Sequence, residues 1–323
     1  MLKKPAPLRC VALLGGTGFV GRALAARLQN AGLRTRVLTR DTRHARALWP
    51  LPDVECRVVN PYDPAALAPA LSGCDAVVNL VGILNERGDS GDGFARAHVT
   101  LTREALAAAL DAGVPRFVQM SALNANPRGP SHYLRTKGEA EALVQAETRL
   151  RGAIVRPSVI FGDGDGLFGR FAPIVRWLPF LPLAGATARL QPVFVGDVVE
   201  AVLRILLNDT LAHGAVFELG GPRVMTLGEI VAFTAQATGR RCPVLPLPAP
   251  LGRLQAELCE HLPGKPFSRD NWRSLARDSV VVSEDGLHRL GIVPTPVEAI
   301  MPPLLNPGRR ARDHDWHRQH ARR

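Results

Sequence analysis

The sequence contains no run of about 20 apolar residues free of charge or proline, so no membrane-spanning helix is expected. Aromatic residues are scarce, at 5% of 323 positions, and they do not alternate with basic ones. That removes the stacking platform single-stranded nucleic acid requires. Cys10, Cys56, Cys74, Cys242 and Cys259 are scattered, odd in number and without a CxxC pair. This excludes a disulfide scaffold or a cysteine-built metal site and fits free thiols in a reducing cytoplasm. A cleavable leader is not expected either. In "MLKKPAPLRCVALLGG" the lysines precede a short apolar stretch that runs into glycines with no small-residue cleavage site. The segment reads as the first strand of a domain.

Apolar residues, by contrast, make up 46% of the chain, enough for one large domain or two smaller ones. The net charge is +11, part of it in the terminal "NPGRRARDHDWHRQHARR". Residues 307–323 read as a disordered basic tail, or else as a contact for an anionic lipid surface or acidic partner. His314, His317 and His320 are spaced to hold a metal on a helix, but a histidine cluster in a tail is read as incidental. Nucleic acid is not an expected partner, because no motif beyond charge supports it.

Apolar runs and helical patterns alternate. Strands are expected at "RCVALLG", "RTRVLTR", "VECRVVN", "CDAVVNLVG", "PRFVQMSAL" and "RGAIVRPSVIFG", the last running into a loop. Helices are expected over about 18–32, 41–48, 93–112 and 131–148. Strands separated by helices imply right-handed crossovers and a parallel sheet covered on both faces. The expected class is therefore α/β, a doubly wound Rossmann sheet with a smaller mixed α/β C-terminal domain. Residues 8–162 are assigned to the nucleotide domain, with 190–222 returning to it through "QPVFVGDVVEAVLRILL", and 163–306 to the smaller domain. In the smaller domain Phe168, Phe171, Ile174, Val175 and Leu178 fall on one helical face, to serve as core or as a contact surface.

Gly15, Gly18 and Gly21 stand between the first strand and the first helix. The first permits a tight turn, the second lets backbone approach a pyrophosphate, and the third lets helix and strand pack closely. Thr17, Phe19 and Val20 complete the loop and first helical turn, whose free N–H groups and positive dipole end attract phosphate. A dinucleotide is the expected ligand. The second strand ends at Thr39 and Arg40, with Arg43 following, where NAD-specific sites carry an acidic residue. Arginine pairs with a 2′-phosphate, so NADP(H) is favoured over NAD(H); Asp41, one position late, blurs the choice. Asp63, in "VVNPYD", is a candidate for the adenine amino group or a helix cap. Leu80, Val81 and Gly82 follow the fourth strand, where backbone can line the cofactor.

Tyr133 and Lys137 lie at i and i+4 and share a helical face. A neighbouring ammonium is expected to lower the tyrosine pKa towards neutrality, and Lys137 can also hold the nicotinamide ribose. Ser121 ends the fifth strand and can polarise a substrate carbonyl. With these residues in place, the chain to about residue 300 resembles the extended or atypical short-chain dehydrogenase/reductase family. The resemblance implies Ser121, Tyr133 and Lys137 as a catalytic triad, with Arg156, Pro157, Ser158 and Val159 of "RPSVIFG" lining the nicotinamide end. "SALNANPRGPSHYLRTKGEAE", "RPSVIFGDGD", "QPVFVGDV" and "DNWRSLARDSV" are similar to the nucleotide-binding accessory subunit of respiratory complex I and its stand-alone bacterial relatives. That likeness implies either an NAD(P)-dependent oxidoreductase or epimerase acting on an unnamed small molecule, or an NADPH-holding assembly factor for a membrane respiratory complex. It would place the protein in the cytoplasm or peripherally at the inner face of the membrane.

Overall fold

The computed structural model describes residues 7–208 and 210–306; the basic tail and its histidines lie outside the described residues. The chain divides into two compact units.

Of the described residues, the first unit holds Pro7–Ser158, Val195–Gly220 and Val281–Val293. Seven strands form one parallel sheet: β1 (Cys10–Leu14), β2 (Arg34–Thr39), β3 (Val54–Val58), β4 (Ala76–Asn79), β5 (Arg116–Met120), β6 (Arg151–Pro157) and β7 (Ala215–Leu219). Their order across the sheet is β7-β6-β5-β4-β1-β2-β3. The helices are α1 (Phe19–Asn30), α2 (Pro64–Leu71), α3 (Leu101–Asp111), α4 (His132–Ala146), α5 (Val195–Leu207) and α6 (Gly286–Arg289). Every residue of β1 and β5 is buried, as a sheet covered on both faces demands. Ala12, Leu14, Val77, Phe117 and Ile154 pack with Leu67, Ala105, Ala109 and Val144 of α2, α3 and α4. Val11 and Leu13, alternating with them, point to the opposite face. There α1 and α5 are tied by an Arg27–Glu200 ion pair of 2.7 Å.

The connection from β1 runs outward to β2, whereas β4 lies on β1's other side. The order therefore reverses beside β1, and a crevice opens at the carboxyl ends of β1 and β4, where doubly wound sheets bind ligands.

Of the described residues, the second unit holds Val159–Phe194, Gly221–Val280 and Pro294–Asn306. It is built from short strand pairs, Ile160–Phe161 with Val193–Phe194, Arg189–Leu190 with Met225–Thr226, and Leu181–Leu183 with Val244–Pro246. Around them stand the helices Phe168–Trp177, Leu227–Ala237, Ala249–Glu260, Arg269–Ser274 and Val297–Leu305. Phe161, Phe168, Phe194 and Phe233 meet edge-on or tilted in its core, with ring centroids 5.7–6.1 Å apart. Phe168 and Val175 are buried there and Phe171 and Ile174 pack against them, so four of the five expected face residues are core and Leu178 is not. Trp177, Leu178 and Phe180, beyond it, are exposed.

The structure redraws two expected segments. "RGAIVRPSVIFG" is not one strand: β6 ends at Pro157, and Ile160–Phe161 pairs in the second unit. "PVF" likewise pairs in the second unit, so the return to the large sheet is made by α5 and by β7, which the sequence pattern did not announce. Val281–Val293 also joins the first unit, where α6 packs on β7.

Candidate nucleotide and acid–base site

The glycine loop sits where the strand order reverses. Gly15 has φ +77°, a conformation that favours a residue without a Cβ, and a Cβ there would come within 3.1 Å of the Val81 amide nitrogen. A Cβ on Gly21 would lie 2.5 Å from the Gly16 Cα, so α1 packs against the loop only because that position is glycine. Gly18 is the N-cap of α1 and supplies no side-chain cap; the first turn also carries no acidic residue. Its orphan N–H groups and dipole end are thus left for an external acceptor, beside the half-buried Thr17, Phe19 and Val20. These features fit a nucleotide pyrophosphate.

At the end of β2, the Thr39 hydroxyl donates to the Asp41 carbonyl (2.9 Å), which closes a tight turn. The Asp41 carboxylate accepts from the Arg43 backbone N–H (2.8 Å) and pairs with its guanidinium (2.6 Å). The bond from Arg43 holds the Asp41 carboxyl below its usual range. Arg43 therefore neutralises the acid that blurred the cofactor choice. Arg40 is exposed and has no ion pair among the described residues. Asp63 caps α2, accepting from the Ala65 N–H at 3.1 Å, which is the helix-cap alternative.

Behind the crevice lies a polar network that the sequence reading missed. Asn79, at the end of β4, donates to Thr102 Oγ1 (3.1 Å) and Gln119 Oε1 (3.0 Å) and accepts from the Val81 N–H (3.1 Å). It thereby fixes the Leu80–Gly82 backbone. A lone asparagine in the otherwise apolar "AVVNLVG" is the signal that could have revealed it. His98 lies in a π-helical turn, Ala95–Thr100, that leads into α3. Its Nε2 accepts from the Ile83 N–H (3.2 Å), which leaves the proton on Nδ1 to donate to Thr136 Oγ1 (2.8 Å). Burial, with the Lys137 charge adding to it, pushes His98 down to about 2. The ring is neutral and acts as a wedge: Tyr133 stacks edge-on against it at 5.5 Å and against Phe94 at 6.2 Å.

Ser131 caps α4, accepting from the Leu134 N–H at 3.1 Å, and so starts the helix that carries Tyr133 and Lys137. Lys137 is 3% exposed and donates from Nζ to the Met120 carbonyl at 3.1 Å. A Cβ at Gly82 would lie 3.1 Å from that nitrogen, so the loop after β4 also closes on Lys137. Ser121 follows Met120; its Oγ is buried and has no hydrogen-bond partner. An orphaned buried hydroxyl costs free energy unless something else fills its valence, and a ligand oxygen fits that role. The expectation of an acidified phenol is corrected. Burial pushes Tyr133 up to about 12, and burial also lowers Lys137 to about 8 despite the nearby Glu141 carboxylate. Desolvation of the phenol is the cause of its rise.

The "RPSV" segment divides. Arg156 is turned to the helix face, paired with Glu141 (2.6 Å) and Glu218 (3.4 Å), and braces β6 between α4 and β7 rather than facing the crevice. The Pro157 carbonyl accepts from Leu123 and the Ser158 N–H donates to the Leu219 carbonyl, at 3.0 and 2.9 Å. Val159 opens the second unit.

Fold and site together define a class. A family profile described as NAD(P)H-binding matches residues 15–169. The chain belongs to the NAD(P)-binding short-chain dehydrogenase/reductase family. Within it, the chain is 30% identical to the mitochondrial NADH dehydrogenase [ubiquinone] 1 alpha subcomplex subunit 9 of Mus musculus, over 94% of this chain and 81% of that one. The Arabidopsis thaliana protein of the same name is 30% identical over 76% of this chain and 61% of its own length. A ceramide reductase of Caulobacter vibrioides is 32% identical over 74% of each chain. Among solved structures, gox2253 superposes with a TM-score of 0.72 at 25% identity, covering 98% of this chain and 99% of that one. Among the described residues, no helix is long and apolar enough to cross a membrane.

Proposed function

We propose that this chain is an NADP(H)-dependent reductase that delivers a proton from Tyr133 to a substrate carbonyl held by Ser121. The observation that carries the reading is the buried, unpartnered Ser121 Oγ next to the carbonyl that Lys137 binds. A bound nicotinamide cofactor supplies a hydride to the carbonyl carbon. The Tyr133 phenol gives its proton to the oxygen, and an alcohol results. With its pKa pushed up to about 12, that phenol holds its proton at neutral pH, which suits reduction better than the reverse direction. Lys137 holds the nicotinamide ribose and steadies the charge left on the phenolate. Arg40, unpaired at the end of β2, supports a 2′-phosphate and hence NADP(H), with NAD(H) as the weaker ligand. Likeness to a ceramide reductase favours a ceramide-class lipid carbonyl as the substrate.

The test is NADPH oxidation with a long-chain keto-amide lipid dispersed in micelles. Tyr133→Phe is expected to lower the rate by about 10²–10⁴-fold while NADPH affinity stays unchanged. A variant that keeps the full rate would remove the acid role.

A second reading has one observation in its favour. Trp177, at 87% exposure, stands with Leu178 and Phe180 as an apolar contact on the second unit. In that reading the chain holds NADPH as a fixed part and serves assembly of a membrane respiratory complex, placed at the inner face of the membrane. The NADPH dissociation rate separates the two: exchange in seconds supports turnover, and retention for hours supports a structural nucleotide.

A further inference from the structure

At the amino-terminal edge of the sheet, opposite the nucleotide crevice, two thiols face each other. Cys10 opens β1 and Cys74 stands just before β4, with their Sγ atoms 3.5 Å apart. The backbone already fixes their proximity. Asp75 donates its N–H to the Cys10 carbonyl (2.8 Å), and its carboxylate accepts from the Arg9 and Cys10 N–H groups at 2.8 and 2.9 Å. Arg36, from β2, donates to Cys74 Sγ at 3.4 Å and is itself pinned by the Ala70 and Ser72 carbonyls at 3.0 and 2.7 Å. A guanidinium against a thiol pair is the setting that favours a thiolate.

We propose that Cys10 and Cys74 are an oxidisable dithiol that a hydroperoxide converts to a disulfide, with Cys10 as the attacking thiolate and Cys74 as the resolving thiol. The Cys10 thiolate attacks the peroxide O–O bond, forming a sulfenic acid and releasing the alcohol or water-derived leaving group with a proton. The Cys74 sulfur then attacks the Cys10 sulfur, the S–S bond forms, and the sulfenic oxygen leaves as water with the Cys74 proton. Two electrons pass from the sulfurs to the peroxide. The Sγ–Sγ contact lowers Cys10 to about 7 and, together with burial, raises Cys74. Both thiols are buried, and Cys74 directly follows the exposed Ser72–Gly73 turn. Neither thiol takes part in the proposed reduction, so this inference stands independently of it.

The experiment is alkylation mapping of the full chain after a stoichiometric pulse of hydrogen peroxide. The expected result is a Cys10–Cys74 cross-linked peptide lighter by two hydrogens, alkylation at Cys56 and Cys259 unchanged, and full reversal by dithiothreitol. Cys74→Ala should leave Cys10 as a sulfenic acid that dimedone labels. Should Cys10 and Cys74 of the wild-type chain both remain alkylatable after peroxide that oxidises free glutathione, the proposal is overturned. Separate overoxidation without a cross-link overturns it equally.

Discussion

Lys137 and His98 are both buried with depressed pKa values, and each should leave a mark on the pH dependence of stability. Lys137 falls from 10.5 to about 8, so above pH 8 the folded chain has released a proton that the unfolded chain still binds. Stability should therefore rise between about pH 8 and 10.5. His98 falls from 6.5 to about 2, so stability should decline as pH drops below 6.5. Urea midpoints across pH should show both limbs, and Lys137→Met should remove the alkaline one and, by deleting a charge that helps depress His98, weaken the acidic one only slightly. Arg40→Asp should move preference from NADPH towards NADH; equal affinities before and after would remove the 2′-phosphate assignment. The tight turn at Gly15 and the shared helix of Tyr133 and Lys137 are legible in the sequence, because spacing along one turn or one helix nearly fixes such local geometry. Arg156 was not legible. Its partners Glu141 and Glu218 lie 15 and 62 positions away, and only the folded sheet brings them to it.

Among elements, α4 depends on a glycine that carries no chemistry. A Cβ at Gly138 would sit 2.5 Å from the backbone of Asn126, in the loop that follows Ser121 and contains Asn124 at φ +64°. Gly138→Ala should push that loop off the helix, costing about 1–3 kcal/mol in a urea titration and weakening activity beyond the stability loss. The helix before α3 was legible from its apolar period, but its π turn was not, since one extra residue in a turn leaves the period almost intact. Strand β7 escaped notice for another reason. "AVFEL" is a short edge strand, half exposed at Ala215, Val216 and Glu218, and it lacks the continuous apolar run that marked the central strands.

On the scale of the whole molecule, the first unit is assembled from three stretches of chain. A fragment ending at Ser158 lacks α5, with nine buried residues, and lacks β7, which covers the edge of β6. Expressed alone, that fragment should aggregate or bind a hydrophobic dye, whereas the full chain should unfold cooperatively; a soluble, dye-negative fragment would contradict this. The two-unit architecture could be read from the change in composition after residue 162, but the strand-level weave could not, because β6 and β7 meet only across the intervening second unit.

That weave also has a consequence in time. β6 leaves the ribosome complete at Pro157, yet its edge partner begins only at Ala215. At about 5–20 residues per second, the unpaired edge waits roughly 3–12 s for its cover. During that interval the nascent chain offers a naked strand to any neighbour on the same message, so the cell's folding helpers are needed most before the last third of the protein exists.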